Sequence, residues 1–387
     1  MYMASRPAGL RILKVAPSVF SPPKLSSGIK SYTLTLRRYL KRKRALVHVL
    51  GASLDGGSDA ETFLVHIPFK SDVLFSLYVI PRYLRIRNRY DLIHISDPFL
   101  TLPLLLYMTG KPSVITLHEV WSEAVSYKRG LLPALVARIV ERLSLSQVTQ
   151  VIAVDGKIEA AYLRKYPWLE SKLSTVDVGV DLTVFQPTPG NVRSRFGFTA
   201  SDKIILYLGR FEKEKNVAFL LHAFAHVKRK EPEAKLVLVG SGKEKRNLES
   251  LIRELDIRDV IFLEPIAQES VPLILNCANV IALASHYESC PLVAQEALAC
   301  GLPVVSVDVG RVKELVCSEL AGSVVSRDPV AFADALVSFL GRDRRSVQAA
   351  CRRCVRDFSF EKTVLETLAV YRKALSAYKK RSANVAD

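Results

Sequence analysis

Short apolar runs alternate with stretches of helical periodicity along the first half of this chain. Such alternation is typical of a parallel sheet whose strands are joined by helices. The predicted strands are Arg11–Val15, Leu46–Leu50, Asp91–Ser96, Ser113–Leu117 and Gln150–Val154. Helices are predicted over Ile29–Arg44 and over Leu131–Leu145, which is amphipathic.

The same alternation restarts after Ser201, behind a linker predicted at Asp181–Ala200 that contains Pro187, Pro189 and Gly190. The strands predicted here are Lys203–Gly209, Ala234–Val239, Val260–Leu263, Val280–Ala284 and Pro303–Val307, and the helices are Val217–Lys230, Lys243–Leu255 and Pro291–Cys300. The pattern therefore predicts two Rossmann-like α/β domains with parallel sheets. Because ligands of such sheets bind at the carboxyl ends of the strands, we expect the site in a cleft between the two domains.

Charge is the feature of the composition that changes this picture. The 387 residues are 49% hydrophobic and 24% charged, which is ordinary for globular domains, but 55 basic against 38 acidic residues leave a net charge of +17. The first fifty residues hold eleven basic residues and no acidic one. This excess indicates an anionic partner: a nucleic acid, a phosphorylated ligand or an anionic membrane surface.

The six cysteines all lie in the second half of the chain and are expected to be reduced, as in a cytoplasmic protein. Cys351 and Cys354 form a CxxC pair, but a zinc site would require two more ligands nearby. No signal peptide is visible, and the apolar run Pro98–Met108 is shorter than the roughly 20 residues that span a bilayer. We therefore expect a soluble protein or one that attaches to one face of a membrane.

Two glutamates mark the first candidate site, in the segment Tyr287–Pro303. Glu288 follows a predicted strand, and Glu296 lies on a predicted helix that Pro291 begins and Gly301 ends. Two carboxylates suit the hydroxyl pairs of a sugar and a ribose, although the spacing alone also fits two solvated surface carboxylates. Backbone N–H groups at the start of this helix favour an anion and belong to Ser289, Cys290 and Leu292.

A basic turn marks the second candidate site. Gly209 ends a predicted strand, and Arg210 and Lys215 follow in the loop. A guanidinium and an ammonium together can hold a diphosphate. A basic turn that is only exposed to solvent would have the same sequence pattern. No GxGxxG, P-loop, nucleophile-elbow or Asp-x-Asp motif is present, so nicotinamide, P-loop, hydrolase and metal-bridged nucleotide sites lack their motifs.

Two further positions are weaker candidates. His118 comes just after the strand Ser113–Leu117 and could contact a ligand, whereas His94 inside a strand is expected to be structural. Gly28 ends a Ser-Ser-Gly turn before the first helix, where a glycine permits close approach of a phosphate; a plain turn is the alternative.

In combination these segments resemble the retaining glycosyltransferases of family 4, which have the GT-B fold. The resemblance covers nearly the whole chain and is strongest over Ile204–Val316. There the chain has Gly-Arg-x4-Lys, then V-L-V-G-S-G at Val237–Gly242, then Glu-x7-Glu followed by G-L-P-V-V. The resemblance implies an acceptor-binding domain over 1–185, a nucleotide-sugar-binding domain over 186–365, and a helix over 366–387 that crosses back to the first domain.

The resemblance also implies roles for the candidate residues. Arg210 and Lys215, beside Gly209, would hold the donor diphosphate, and Glu296 would bind the ribose. Glu288 would contact the transferred sugar, next to the backbone of Ser289, Cys290, Pro291 and Leu292. Gly28 would let its loop approach the phosphate, and His118 would face the sugar. No metal ion or cofactor is implied besides the UDP- or GDP-linked sugar, and Glu264, where the family usually has glycine, leaves the base open.

The sequence therefore predicts a metal-independent retaining transferase that moves a sugar from a nucleotide-diphosphate sugar to a hydroxyl of a glycan or a lipid-linked acceptor. One alternative is a nucleic-acid-binding α/β protein, which the net charge favours but which lacks an element mixing basic and aromatic residues. The other is a non-catalytic relative that serves as a partner subunit.

The first predicted helix suggests contact with the cytoplasmic face of a membrane. Ile29, Tyr32, Leu36 and Leu40 fall on one face, which we expect to pack on the sheet. The basic residues would then face solvent and could bind anionic lipid: Lys30, Arg37, Arg38, Lys41, Arg42 and Arg44.

Overall fold

The computed structural model of the protein describes residues 9–19, 28–53, 62–66, 72–96, 98, 110–190, 192–288 and 291–383. The chain divides into two compact units. Unit 1 consists of Met1–Asp177 together with Thr363–Asp387, and unit 2 is the continuous segment Val178–Lys362. The predicted boundary after residue 185 therefore falls inside unit 2, and the return to unit 1 begins at Thr363 rather than at residue 366.

Unit 1 contains a seven-stranded parallel sheet with the order β3-β2-β1-β4-β5-β6-β7. Its strands are β1 (Arg11–Val19), β2 (Leu46–Ser53), β3 (Thr62–His66), β4 (Leu92–Ile95), β5 (Ser113–Leu117), β6 (Gln150–Ala153) and β7 (Leu173–Thr175). The helices between them are α1 (Gly28–Arg42), α2 (Asp72–Ile86), α3 (Trp121–Arg129), α4 (Leu131–Gln147) and α5 (Gly156–Lys165). The central strands are buried, as their continuous apolar runs predict.

Unit 2 contains a six-stranded parallel sheet with the order β10-β9-β8-β11-β12-β13. Its strands are β8 (Lys203–Leu208), β9 (Ala234–Val239), β10 (Val260–Leu263), β11 (Val280–Leu283), β12 (Val304–Val307) and β13 (Gly322–Val325). Its helices are α6 (Val217–Lys230), α7 (Lys245–Glu254), α8 (Val271–Cys277), α9 (Leu292–Ala299), α10 (Val312–Leu315), α11 (Pro329–Leu340) and α12 (Arg344–Cys354). The prediction of two Rossmann-like domains with parallel sheets is confirmed.

A last helix, α13 (Phe360–Ala383), completes the core of unit 1. Its Tyr371 is fully buried, and the phenol oxygen Oη lies 2.6 Å from Nδ1 of His94. On the other side of the ring, Nε2 of His94 lies 2.6 Å from Oγ1 of Thr116 and 3.1 Å from Nζ of Lys14. His94 is thus a buried structural histidine, as predicted. Burial lowers the pKa of the Lys14 ammonium well below its ordinary value.

Helix α1 packs its apolar face inward as predicted, but its basic side is not uniformly solvent-facing. Lys30 is buried, and Arg37 is half-buried and donates a hydrogen bond of 2.8 Å to Oγ1 of Thr62. The helix ends at Arg42, so Arg44 lies beyond it. Of the six basic residues predicted to face solvent, Lys30 is buried and Arg37 is half-buried. The other four are exposed: Arg38, Lys41, Arg42 and Arg44.

The prediction that all cysteines are reduced is wrong for one pair. Cys317, which follows α10, and Cys354, at the end of α12, form a disulfide, with their Cα atoms 5.4 Å apart. The fold brings together two positions that are distant in sequence, so Cys354 pairs with Cys317 and not with the neighbouring Cys351 of its CxxC motif. Cys277, Cys300 and Cys351 are buried free thiols.

Candidate active site

Two segments that the sequence singled out separately meet in unit 2. Lys215 ends a short turn after β8, and its Nζ lies 2.5 Å from Oε1 of Glu288, which follows β11. Oγ of Ser285 donates a hydrogen bond of 2.9 Å to the same carboxylate oxygen. Because β8 and β11 are parallel neighbours, their carboxyl ends place the two loops side by side. Both side chains of the pair remain partly accessible, which leaves them able to bind a ligand.

Arg210 lies in the same loop with its side chain 57% exposed. Its Nη2 is 3.0 Å from Oε1 of Glu214, and its backbone carbonyl accepts a hydrogen bond of 2.8 Å from Oη of Tyr207. The amide of His286 donates to the carbonyl of Glu214, which ties the β8 loop to the β11 loop. The backbone of this loop is thus held in place while the guanidinium is free to turn, since an exposed ion pair of this kind is weak.

The loops after β8 and β9 approach each other backbone to backbone. The amide of Gly209 donates to the carbonyl of Val239, and Gly240 has a φ of +147°. A Cβ on Gly240 would lie 1.9 Å from the carbonyl oxygen of Gly209, and one on Gly242 would lie 2.2 Å from that of Phe211. These contacts explain both glycines of V-L-V-G-S-G, since no other residue fits the space.

Glu296 is half-buried on α9. Burial raises the pKa of its carboxyl to about 8, and a hydrogen bond from the Gln268 side chain opposes the rise. The carboxyl therefore keeps its proton at neutral pH. The buried Pro291 immediately precedes the first helical residue, Leu292, one position before its predicted place, and Gly301 follows the helix at a φ of +75°, as its predicted role as a helix stop requires.

His118 follows β5 in unit 1 and is half-buried. Its ring meets that of Tyr32 edge-on at 5.1 Å between centroids, and its Nε2 is buried without a hydrogen-bond partner. Burial, assisted by the nearby positive charge of Lys14, lowers the pKa of His118 to about 3. The imidazole is therefore neutral at physiological pH.

Gly28 is the first residue of α1 and is exposed. Four other residues that the sequence associated with the site lie outside the described part of the structure: Ser26, Ser27, Ser289 and Cys290. Lys245 lies 3.0 Å from Glu264, the position that departs from the family pattern. Within the described residues, no three His, Cys, Asp or Glu side chains converge as a metal site would require.

Sequence reasoning missed the residues that hold the site residues in position. Ser285 bonds Glu288, Gln268 bonds Glu296, and Glu214 pairs with Arg210. The spacing of three residues between Ser285 and Glu288 just after a strand was a usable signal. The sequence around Gln268 gave no such signal, because this residue reaches the site from a turn between β10 and α8.

Comparison with known proteins agrees with this geometry. Residues 26–184 match the family described as glycosyltransferase family 4, and residues 191–353 match the glycosyl transferases group 1 family. The D-inositol 3-phosphate glycosyltransferase of Saccharomonospora viridis is 32% identical over 293 residues, which are 72% of this chain and 68% of that protein. The chain belongs to glycosyltransferase family 4.

The chain is also similar to other proteins in sequence or in structure. The D-inositol 3-phosphate glycosyltransferase of a Nocardioides species is 32% identical, and the matched region is 63% of its length. Sucrose-phosphate synthase of Thermosynechococcus elongatus superposes with a TM-score of 0.79 at 25% identity, covering 95% of this chain and 100% of that one. Anabaena HepE in complex with UDP and glucose superposes with a TM-score of 0.74 over 93% of this chain and 98% of its own; at 18% identity it supports the fold alone.

The fold of this family 4 glycosyltransferase is therefore GT-B, and its activity is transfer of a sugar from a nucleotide sugar. A nucleic-acid-binding function is not favoured. In the described part of the chain no helix is both long and apolar enough to cross a bilayer.

Proposed function

We propose that the protein transfers a sugar with retention from a nucleotide-diphosphate sugar to a hydroxyl group, with Lys215 and Arg210 binding the diphosphate. The contact between Lys215 and Glu288 supports this assignment most directly. An ammonium group has three hydrogen-bond donors, so Lys215 can keep Glu288 and bind a phosphate oxygen as well. The free oxygen of Glu288 can accept hydroxyl groups of the transferred sugar at the same time.

Charge develops on the leaving diphosphate as the bond to the sugar breaks. The guanidinium of Arg210 and the ammonium of Lys215 would stabilise that charge in the transition state more than in the bound donor, which is what accelerates the reaction. The leaving diphosphate then accepts the proton of the incoming hydroxyl on the same face of the sugar. In this scheme the two cations supply the positive charge, so no divalent metal is required.

The remaining residues would bind the rest of the donor. Glu296 would accept the ribose hydroxyls, and the backbone of Gly209, Pro291 and Leu292 would approach the diphosphate and the sugar. In unit 1, His118 would face the sugar as a neutral group, since its pKa is about 3. Gly28 would admit a phosphate close to the start of α1.

The donor in this proposal is a UDP- or GDP-linked sugar, and the acceptor is a hydroxyl of a glycan or of a lipid-linked molecule. The similarity to D-inositol 3-phosphate glycosyltransferases adds a phosphorylated polyol, D-inositol 3-phosphate, as an acceptor to test. The excess of basic residues in the first fifty positions of the chain is compatible with an anionic acceptor.

The test is a screen of UDP- and GDP-linked sugars for release of free nucleoside diphosphate, with and without inositol 3-phosphate and with and without a chelator. Arg210→Ala and Lys215→Ala should each lower turnover by roughly 10²–10³, the usual effect of removing one such electrostatic donor. Lys213→Ala is the matched control, because Lys213 is an exposed cation in the same turn. Wild-type turnover in both variants would contradict the assignment, and loss of activity with chelator would contradict metal independence.

A protein that binds nucleotide but turns over no donor would support the non-catalytic alternative. The stereochemistry is read from the product by NMR of the anomeric proton. An inverted product would exclude retention.

A further inference from the structure

An ion pair joins the loops after β9 and β10 at the carboxyl edge of the unit 2 sheet. Glu264 directly follows β10, and its Oε1 lies 3.0 Å from Nζ of Lys245, the first residue of α7. The ammonium also lies 5.7 Å from the centre of the Phe262 ring. The Glu264 side chain is 78% exposed and that of Lys245 is 35% exposed, so a ligand can reach both. An exposed pair of this kind adds little stability and can share its hydrogen bonds with a ligand.

The loop that Glu264 begins also supports the proposed ribose ligand. Four residues further along the chain, the side chain of Gln268 is hydrogen-bonded to the carboxyl of Glu296. In a nucleotide the base is attached to the ribose at the carbon next to the pair of hydroxyls. This loop is therefore placed to contact the base when the ribose hydroxyls bind Glu296.

The order of the strands agrees with this placement. The proposed diphosphate ligands follow β8 and β11, and β9 separates β8 from β10. Neighbouring strands are about 4.8 Å apart, so β10 lies about 10 Å from β8. A nucleotide covers a distance of this order between its phosphates and the far edge of its base. The loop after β9 crosses this path with Gly240 and Gly242, which bring no side chain into it.

Guanine is the base whose edge matches the ion pair. Along its Watson–Crick edge guanine presents an acceptor, O6, followed by two donors, N1–H and N2–H. An ammonium can donate to O6, and a carboxylate can accept both donors at once, one on each oxygen. Uracil has its one donor between two carbonyl oxygens, so one of these would face a carboxylate oxygen. Adenine has one donor and one acceptor on this edge and so matches two of the three groups.

We propose that Lys245 and Glu264 select guanine, so that the donor is a GDP-linked sugar. Lys245 would bind O6, and Glu264 would bind N1–H and N2–H. This inference rests on the proposed function, since it takes the ribose of the donor to bind Glu296. It narrows a choice between UDP and GDP that the sequence left open. A base without the two donors leaves a carboxylate oxygen unpaired or opposite an acceptor, which is what makes such a site selective.

The experiment measures the affinity of the full chain for GDP, IDP, UDP and ADP by isothermal titration calorimetry. IDP is the sharpest probe, because hypoxanthine is guanine without the amino group that supplies N2–H. The test variant is Glu264→Gln, whose amide keeps the shape of the side chain but has one acceptor oxygen instead of two. The matched control is Glu269→Gln, which changes another exposed glutamate between β10 and α8.

We expect the wild type to bind GDP roughly 10- to 100-fold more tightly than UDP or ADP, the usual effect of a bidentate contact to a base. IDP should bind the wild type about tenfold more weakly than GDP, because one hydrogen bond to a charged group is lost. In Glu264→Gln the affinity for GDP should fall by roughly 10- to 100-fold, and the difference between GDP and IDP should shrink. UDP should not bind this variant more weakly, and Glu269→Gln should keep the wild-type preference.

Two results would overturn the proposal: wild-type affinity for UDP or ADP that equals or exceeds that for GDP, or an unchanged ratio of GDP to UDP affinity in Glu264→Gln. Either result leaves the proposed function standing if Lys215→Ala weakens all four nucleotides alike. Binding of none of the nucleotides would overturn both. Thermal unfolding shows whether each variant is folded, and the comparison of the four nucleotides on the wild type needs no variant.

Discussion

Binding of the donor nucleotide should expel a proton from Glu296. In the free protein the carboxyl is held neutral by burial, with a pKa of about 8. Two ribose hydroxyls that donate hydrogen bonds to a carboxylate favour its charged form and lower this pKa. Nucleotide binding and deprotonation of Glu296 are therefore coupled, and each must promote the other.

The size of the coupling follows from the pKa. At pH 7 a group with a pKa of about 8 is protonated in about ten molecules for each one ionised, so binding should release about nine-tenths of a proton. The ionised fraction rises from about one hundredth at pH 6 to about one half at pH 8. If the bound carboxylate stays ionised over this range, affinity for the nucleoside diphosphate should rise about 50-fold from pH 6 to pH 8 and level off above it.

Isothermal titration calorimetry with UDP and GDP in two buffers of different ionisation enthalpy counts the released proton directly. Glu296→Gln is the matched control, because the amide has the shape of the neutral acid but no proton to lose. The nucleotide's own terminal phosphate titrates near pH 6 and contributes equally to both proteins, so it cancels in the difference. The same proton count and the same pH slope in the wild type and the Gln variant would refute the reasoning.

Two further predictions concern stability. Gly240→Ala should lower the free energy of unfolding by more than about 2 kcal/mol, because its Cβ would lie 1.9 Å from the Gly209 carbonyl oxygen at a φ of +147°. Gly341→Ala, with open space around its Cβ, should change it little; chemical denaturation that ranks the two alike would contradict the packing argument. Tyr371→Phe leaves Nδ1 of buried His94 without its partner and should cost about 1–3 kcal/mol, and an unchanged melting temperature would show that the hydrogen bond is dispensable.

Strands and helices with clear periodicity were predictable to the residue. The bounds of β5, α6, β9 and β10 are those read from the sequence, because each has an uninterrupted apolar pattern between turn residues. Helix α2 was missed because Pro81 lies inside it and interrupts the helical signal. Strand β3 was missed because it is short and lies at the edge of its sheet, where only one neighbour selects its residues.

Which side of a helix faces inward was not predictable from periodicity. Leu131–Leu145 reads as an amphipathic helix, and the ordinary inference buries its leucines. The structure buries Glu141 and exposes Leu132, because partners from α3 and α5 satisfy the carboxylate. The same limit applies to Lys30, which the pattern placed in solvent. Which side chains of a helix are buried depends on residues that are distant in sequence, and these do not enter a local pattern.

The residues of the candidate site could be predicted from the sequence, but the contacts between them could not. Arg210, Lys215, Glu288 and Glu296 could be named from local motifs, because the first three lie in loops after strands and Glu296 lies on a helix in a recognisable run. The direct contact between Lys215 and Glu288 could not, because it depends on β8 and β11 being neighbours in the sheet. The raised pKa of Glu296 depends on burial, which spacing does not report.

The division of unit 1 into two sequence segments has a consequence for biosynthesis. Unit 2 is continuous, so it can reach its native fold during translation once Lys362 has left the ribosome. Unit 1 begins earlier but lacks the helix that supplies Tyr371, so Nδ1 of His94 lacks its partner until α13 has emerged. Unit 1 therefore completes its fold only after all of unit 2 has been synthesised.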